Sequence, residues 1–159
     1  MKKLATILLA GTALTALSTA AVAQDRRPSY GTPVNVTTAK KIAAAAIAEC
    51  QKNGWNIAVA VVDPHGTLVY YEKMEDTQYA SADIAIAKAR AAATFRRPTR
   101  VFADAINKGS PATATLGGVV GSPGGVPLMV DGKVIGAVGA SGVTGDQDEQ
   151  CSSAGAKAM

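Results

Sequence analysis

Two short turns constrain this chain more than anything else in it. Asp131-Gly132 stands between "VPLMV" and "KVIGAVGAS". An Asp-Gly pair between two apolar, β-prone runs is a strong hairpin signal, because a two-residue turn of the right twist needs positive φ at both positions. The second turn, Asp63-Pro64-His65-Gly66, follows "WNIAVAVV" and precedes "TLVYYEKM". Proline in second place and glycine in fourth fit a type I turn. Each hairpin brings its strands together antiparallel.

Helical segments flank and separate the hairpins. "AKKIAAAAIAECQKN" carries Ile42, Ala45, Ala46 and Cys50 at helical spacing. Thr37 or Thr38 is the expected cap, and Gly54 the expected end. A second, alanine-rich helix is predicted from about Ser81 to Phe95, with Pro98 marking its end. Thr99 is positioned to cap a short third helix that stops at Gly109. Residues 110–125 read as a connection rich in glycine, serine, proline and threonine. Asp146 and Glu149 have the spacing of a capping box that opens a last helix. The order helix, hairpin, two helices, hairpin, helix predicts an α+β fold: an antiparallel sheet built from hairpins, with helices packed against it.

The N-terminal segment stands apart. "MKKLATILLAGTALTALSTAAVAQ" has the charged start, apolar stretch and small-x-small site (Ala21-Val22-Ala23) of a secretory signal peptide. Thr12, Thr15, Ser18 and Thr19 interrupt the apolar stretch and make it a poor membrane span. Residues 1–23 are therefore read as a cleaved signal, 24–35 as a flexible extended leader, and 36–159 as one domain. The mature chain is expected in the periplasm or outside the cell, with no stable membrane anchor. Removing Lys2 and Lys3 lowers the formal net charge from +4 to +2. No basic stripe carries aromatic neighbours, so nucleic acid is not an expected partner. An oxidising compartment would let Cys50 and Cys151, the only cysteines, form a bridge. Two separate buried thiols are the other reading.

Four ordered stretches resemble a known family: "VAVVDPHGTLVYYEKM", "IAIAKARAAATFRRPT", "GGVPLMVDGKVIGAVGASG" and "GDQDEQCSSAG". Together they are similar to the GlcG/HbpS-like family, over nearly all of residues 36–157. That family includes extracellular haem-binding proteins, and it is similar to the C-terminal domain of some corrinoid adenosyltransferases. The resemblance implies helices packed on an antiparallel sheet and assembly into dimers or larger homo-oligomers. It also implies haem binding, haem degradation or a role beside glycolate metabolism. One departure stands out: Glu75-Asp76 follows Met74 where the family pattern has Asp-Gly.

Several residues can carry such chemistry. His65 is the only histidine, and imidazole is a frequent axial ligand of haem iron. On an exposed turn it is either that metal ligand or an ordinary polar turn residue. Lys88 shares a helix face with Ile84, Ala85, Ala92 and Phe95. A lysine among apolar residues either snorkels or meets an anion, such as a haem propionate. Arg96 and Arg97 suit a helix C-terminus, and Arg97 also suits a carboxylate clamp. Tyr70, Tyr71, Met74 and Tyr79 offer soft or phenolate contacts to iron. Gly124 and Gly125 either bare the backbone to a ligand or allow close packing. The glycine-rich stretch lacks the GxxxxGK[ST] and GxGxxG patterns of nucleotide sites. No GxSxG accompanies His65, so a serine hydrolase is not indicated. The leading reading is an exported binding protein for a small planar ligand, most plausibly haem. An enzyme acting on haem or on a small organic acid is the second reading, and a ligand-free structural oligomer the third.

Overall fold

A computed structural model describes residues 27–159. The expected signal segment and its cleavage point lie outside the described residues. In chain order the elements are α1 (Val36–Lys52), β1 (Ala58–Val62), β2 (Leu68–Lys73), α2 (Ser81–Phe95), α3 (Arg100–Asn107), a 3-10 turn (Pro111–Thr115), β3 (Gly125–Val130), β4 (Lys133–Ser141) and α4 (Gly145–Ala156). Asp131 and Gly132 both take positive φ, 49° and 71°, as the tight turn requires. The four strands form one antiparallel sheet in the order β2-β1-β4-β3. β1 and β4 join the two hairpins, with Ala58 opposite Ser141 and Val62 opposite Ala137. Both hairpin turns consequently sit at the same end of the sheet.

Helices cover both faces. Side chains alternate along a strand, so Val59 and Val61 of β1 face one way and Ala58, Ala60 and Val62 the other. The first face packs against α1 and α4 through Ile42, Ile47, Leu128 and Val138. The Cys50–Cys151 disulfide joins those two helices, with Cα atoms 5.6 Å apart. The second face packs against α2, and nearly every residue there is alanine: Ala58, Ala60 and Ala137 meet Ala85, Ala89 and Ala92. Gly139 belongs to this face as well. A Cβ on it would lie 2.2 Å from the Ala85 carbonyl oxygen, so glycine lets α2 rest directly on the strand.

The cap assignments differ from the sequence reading in three places. Asn35, not Thr37 or Thr38, caps α1 by accepting from the Thr38 N–H at 2.9 Å. Thr99 stands at the N-cap of α3 as expected, but its side chain makes no cap bond; its hydroxyl accepts from the Gly125 N–H at 3.0 Å and ties the helix to β3. The capping box of α4 is Thr144 with Gln147, not Asp146 with Glu149. Asp146 and Glu149 instead bind Arg100 of α3.

The described part of the leader is extended, as its prolines imply, but it is pinned to the body. The Gly31 N–H donates to Val134 O, and the Val134 N–H to Ser29 O, both at 2.8 Å. The Val34 N–H donates to Ile135 O at 2.8 Å. β1 ends at Val62, opposite Ala137, and the leader takes its place beside the first residues of β4.

Candidate functional site

The residues singled out in the sequence fall in three places. Lys88, Gly124 and Gly125 meet inside the molecule. Lys88 is the bulkiest fully buried side chain among the described residues. It reaches from α2 across the sheet to α4, where its Nζ lies 2.7 Å from Asp148 Oδ2 and 3.2 Å from Ala140 O. The anion that Lys88 meets is thus an internal carboxylate. Asp148 Oδ1 also accepts from the Val143 N–H at 3.2 Å. Burial pushes the Asp148 carboxyl up from its ordinary 3.8, against the pull of Lys88 and of backbone N–H groups. Gly124 and Gly125 leave room for this crossing. A Cβ on Gly124 would lie 2.9 Å from Lys88 Nζ, and one on Gly125 2.2 Å from Lys88 O. Ser152 Oγ closes the cluster by donating to Gly124 O at 2.6 Å. Lys88, Gly124 and Gly125 are therefore buried where the layers meet, and each has a structural partner there.

Met74 lies at the sheet end remote from the turns. Its Sδ accepts from the Ile57 N–H at 3.4 Å, and its side chain packs on the α1/α4 core. Asp76 adopts φ 58°, the left-handed conformation that aspartate tolerates better than most residues. The loop after Met74 so keeps a glycine-like backbone despite its Glu75-Asp76 sequence. Arg97, just past the end of α2, places its guanidinium 5.9 Å from the Phe102 ring centre. Tyr70 bonds Glu72 at 2.9 Å, and Tyr79 stands beneath the Lys73 ammonium.

His65 lies at the turn end. Asp63 Oδ1 accepts from the backbone N–H groups of His65 and Thr67, at 2.8 and 2.9 Å. Arg90 Nε donates to Gly66 O at 3.0 Å and fastens the turn to α2. The turn is rigidly tied, and the exposed imidazole has no hydrogen-bond partner among the described residues. It borders a surface hollow of about 320 Å³ with Tyr30, Gly31, Pro33, Pro64 and Thr94. A second hollow of about 290 Å³ adjoins it across Gly31, edged by Thr32, Val130, Asp131, Lys133 and Ile135. Chemically this end offers one imidazole, an apolar and aromatic rim, and a lysine and an aspartate side by side at the margin.

Sequence reasoning missed two participants. Asp148 was concealed because a carboxylate in the first turn of a helix already has a sufficient local reason. The signal that pointed to it was Lys88 itself, a charge amid an apolar stripe. Tyr30 was concealed in a polar leader with no periodicity.

Helices stacked on both faces of a four-stranded antiparallel sheet, with an open hollow at the turn end, define a small α+β fold with a ligand-sized surface site. The family model described as "Haem degrading protein HbpS-like" matches residues 34–157, and the chain belongs to that HbpS-like family. Protein GlcG of Escherichia coli strain K12 is 42% identical over 103 residues, which cover 65% of this chain and 77% of GlcG. The structure of a double mutant of Streptomyces reticuli HbpS superposes with a TM-score of 0.75 at 27% identity, covering 93% of this chain and 99% of that one. A structure described as a PduOC:haem complex superposes with a TM-score of 0.73 at 26% identity, covering 80% of this chain and 96% of that one.

Proposed function

We propose that this protein is exported and binds haem at the turn end of its sheet. The observation that carries the reading is the chain's only histidine, presented without a side-chain partner among the described residues on the rim of an apolar hollow, in a family with a relative solved as a haem complex. The donor set fits the group. A neutral imidazole is a good iron ligand, Tyr30 and Pro33 offer exposed apolar contact, and Lys133, with Asp131 beside it, is the cation within reach of a carboxylate. Each hollow alone is near the lower limit of about 300 Å³ for small-molecule sites, so a macrocycle needs both. Haem bound there would supply its iron for ligand exchange and electron transfer. The chain's part is to hold and orient it: His65 toward the metal, Lys133 toward a propionate, and the Asp63 turn to fix His65 in place. Export rests on the N-terminal signal pattern. Assembly into a closed homo-oligomer rests on the family resemblance and on the apolar surface left by Met129, Val130 and Leu68.

Titration of the protein beginning at Gln24 with haemin tests the reading. A saturable Soret change is expected, with a different band position in His65→Ala because the axial ligand sets the iron's electronic environment. Wild type without saturable binding would remove haem as the ligand. Saturable binding with the same spectrum in His65→Ala would remove His65 from the iron. The family's description favours one further reading, oxidative haem breakdown. Appearance of open-chain tetrapyrrole products after adding a reductant and oxygen would establish it.

A further inference from the structure

We propose that Tyr30 is a second ligand-contacting residue, and that the leader is therefore a built part of the binding site. This rests on the haem reading and extends it to a residue outside the segment matched by the family model.

The leader is fixed at two points besides its pairing with β4. The tripeptide Arg-Arg-Pro occurs twice in the sequence, at residues 26–28 and 96–98, and Arg27 and Pro28 meet the end of α2 beside the second copy. Arg27 Nη1 donates to Phe95 O at 3.3 Å, and Arg96 Nη1 donates to Pro28 O at 3.0 Å. The Tyr30 hydroxyl donates to Thr94 O at 2.9 Å. The last carbonyls of a helix lack intrahelical donors. Here Arg27 and Tyr30 supply them at the end of α2, where a cation is also favoured by the helix dipole.

This clasp determines where the Tyr30 ring stands. The Arg96 guanidinium lies 5.1 Å from the ring centre, and the hydroxyl is tethered, yet the residue remains 45% exposed. It shares the hollow with His65. An aromatic ring held in place before the ligand arrives loses little further rotamer freedom on contact, which favours binding. A flat π-system is the ligand class such a ring suits, because offset or edge-to-face contact between rings is favourable beyond the area it buries.

Haemin titrations of wild type, Tyr30→Ala and Tyr30→Phe, all beginning at Gln24, test the assignment. Tyr30→Ala should bind about tenfold more weakly, the loss of roughly one ring contact. Tyr30→Phe keeps the ring and loses the hydroxyl tether, and it should stay within about twofold of wild type. The Soret position should be the same in all three, since His65 is untouched. Circular dichroism confirms that each variant is folded, and Tyr30→Leu replaces Tyr30→Ala if the latter is not. Wild-type affinity in the ring-less variant overturns the assignment. Equal weakening in Tyr30→Phe also overturns it, because the tether and not the ring would then carry the effect. Absence of saturable binding by wild type overturns the haem reading itself, a result separate from either of these.

Discussion

On the α1/α4 face of the sheet, branched aliphatic side chains and a disulfide fill the space between layers. On the α2 face, alanines and glycines bring backbone almost onto backbone. The first face obtains its stability from area: burying one isoleucine such as Ile42 contributes about 1.5–3 kcal/mol. The second buries little per residue and relies on fit. The single long side chain that α2 sends inward is Lys88, and its charge is met by Asp148 on the opposite layer. The contrast shows that size and polarity of the packing residues are linked. Where the layers touch through Ala and Gly, a lysine stem can pass from one to the other beside Gly124.

Breaking the crossing should have the largest effect. Lys88→Met leaves Asp148 buried without its counter-charge, which should cost about 3–5 kcal/mol in chemical denaturation. Adding Asp148→Leu should recover part of that loss, because no buried charge is left uncompensated. Recovery stays partial, since the Val143 N–H then lacks its acceptor. A Lys88→Met variant as stable as wild type would remove the crossing from the account.

Smaller changes sharpen the contrast between the faces. Gly139→Ala adds one methyl where the Ala85 oxygen is 2.2 Å away, so overpacking should cost about 1–3 kcal/mol. Ile42→Val, which removes one methylene from the aliphatic face, should cost less, about 0.5–1.5 kcal/mol. Thermal melts of both variants check the order. The reverse order would mean that the α2 face has slack and the aliphatic face does not.

Much of the fold was legible in the sequence because its signals are local. Asp131-Gly132 and Asp63-Pro64-His65-Gly66 specify hairpins by their own backbone requirements, and the 3.6-residue stripe of α1 is visible without knowing its neighbours. The distribution of helices between two faces was not legible. A stripe says that a helix is covered, not by which side of a sheet. Lys88 read equally as a snorkelling side chain or as one that meets an anion, and that the anion is Asp148 depends on a contact across 60 positions of chain. Asn35 and Thr144 choose partners by local geometry that residue type alone leaves open, while the Thr99 hydroxyl finds its partner in β3, 26 positions along the chain. The leader was least legible, because prolines and polar residues announce an extended chain equally whether it is loose or clasped. The proposed site shares that property: His65 stands out in the sequence as the only histidine, and Tyr30 beside it does not.

The location of the ligand is the central claim, and amide resonances of the isotopically labelled protein test it most directly. Haemin is paramagnetic and broadens signals near the iron. The account predicts that residues 29–34 and 63–68 broaden first as haemin is added, with residues 130–135 following. The amides around Met74 and those of the 110–123 connection should stay sharp. Early broadening confined to either of those two regions, with His65 and Tyr30 unaffected, would contradict it.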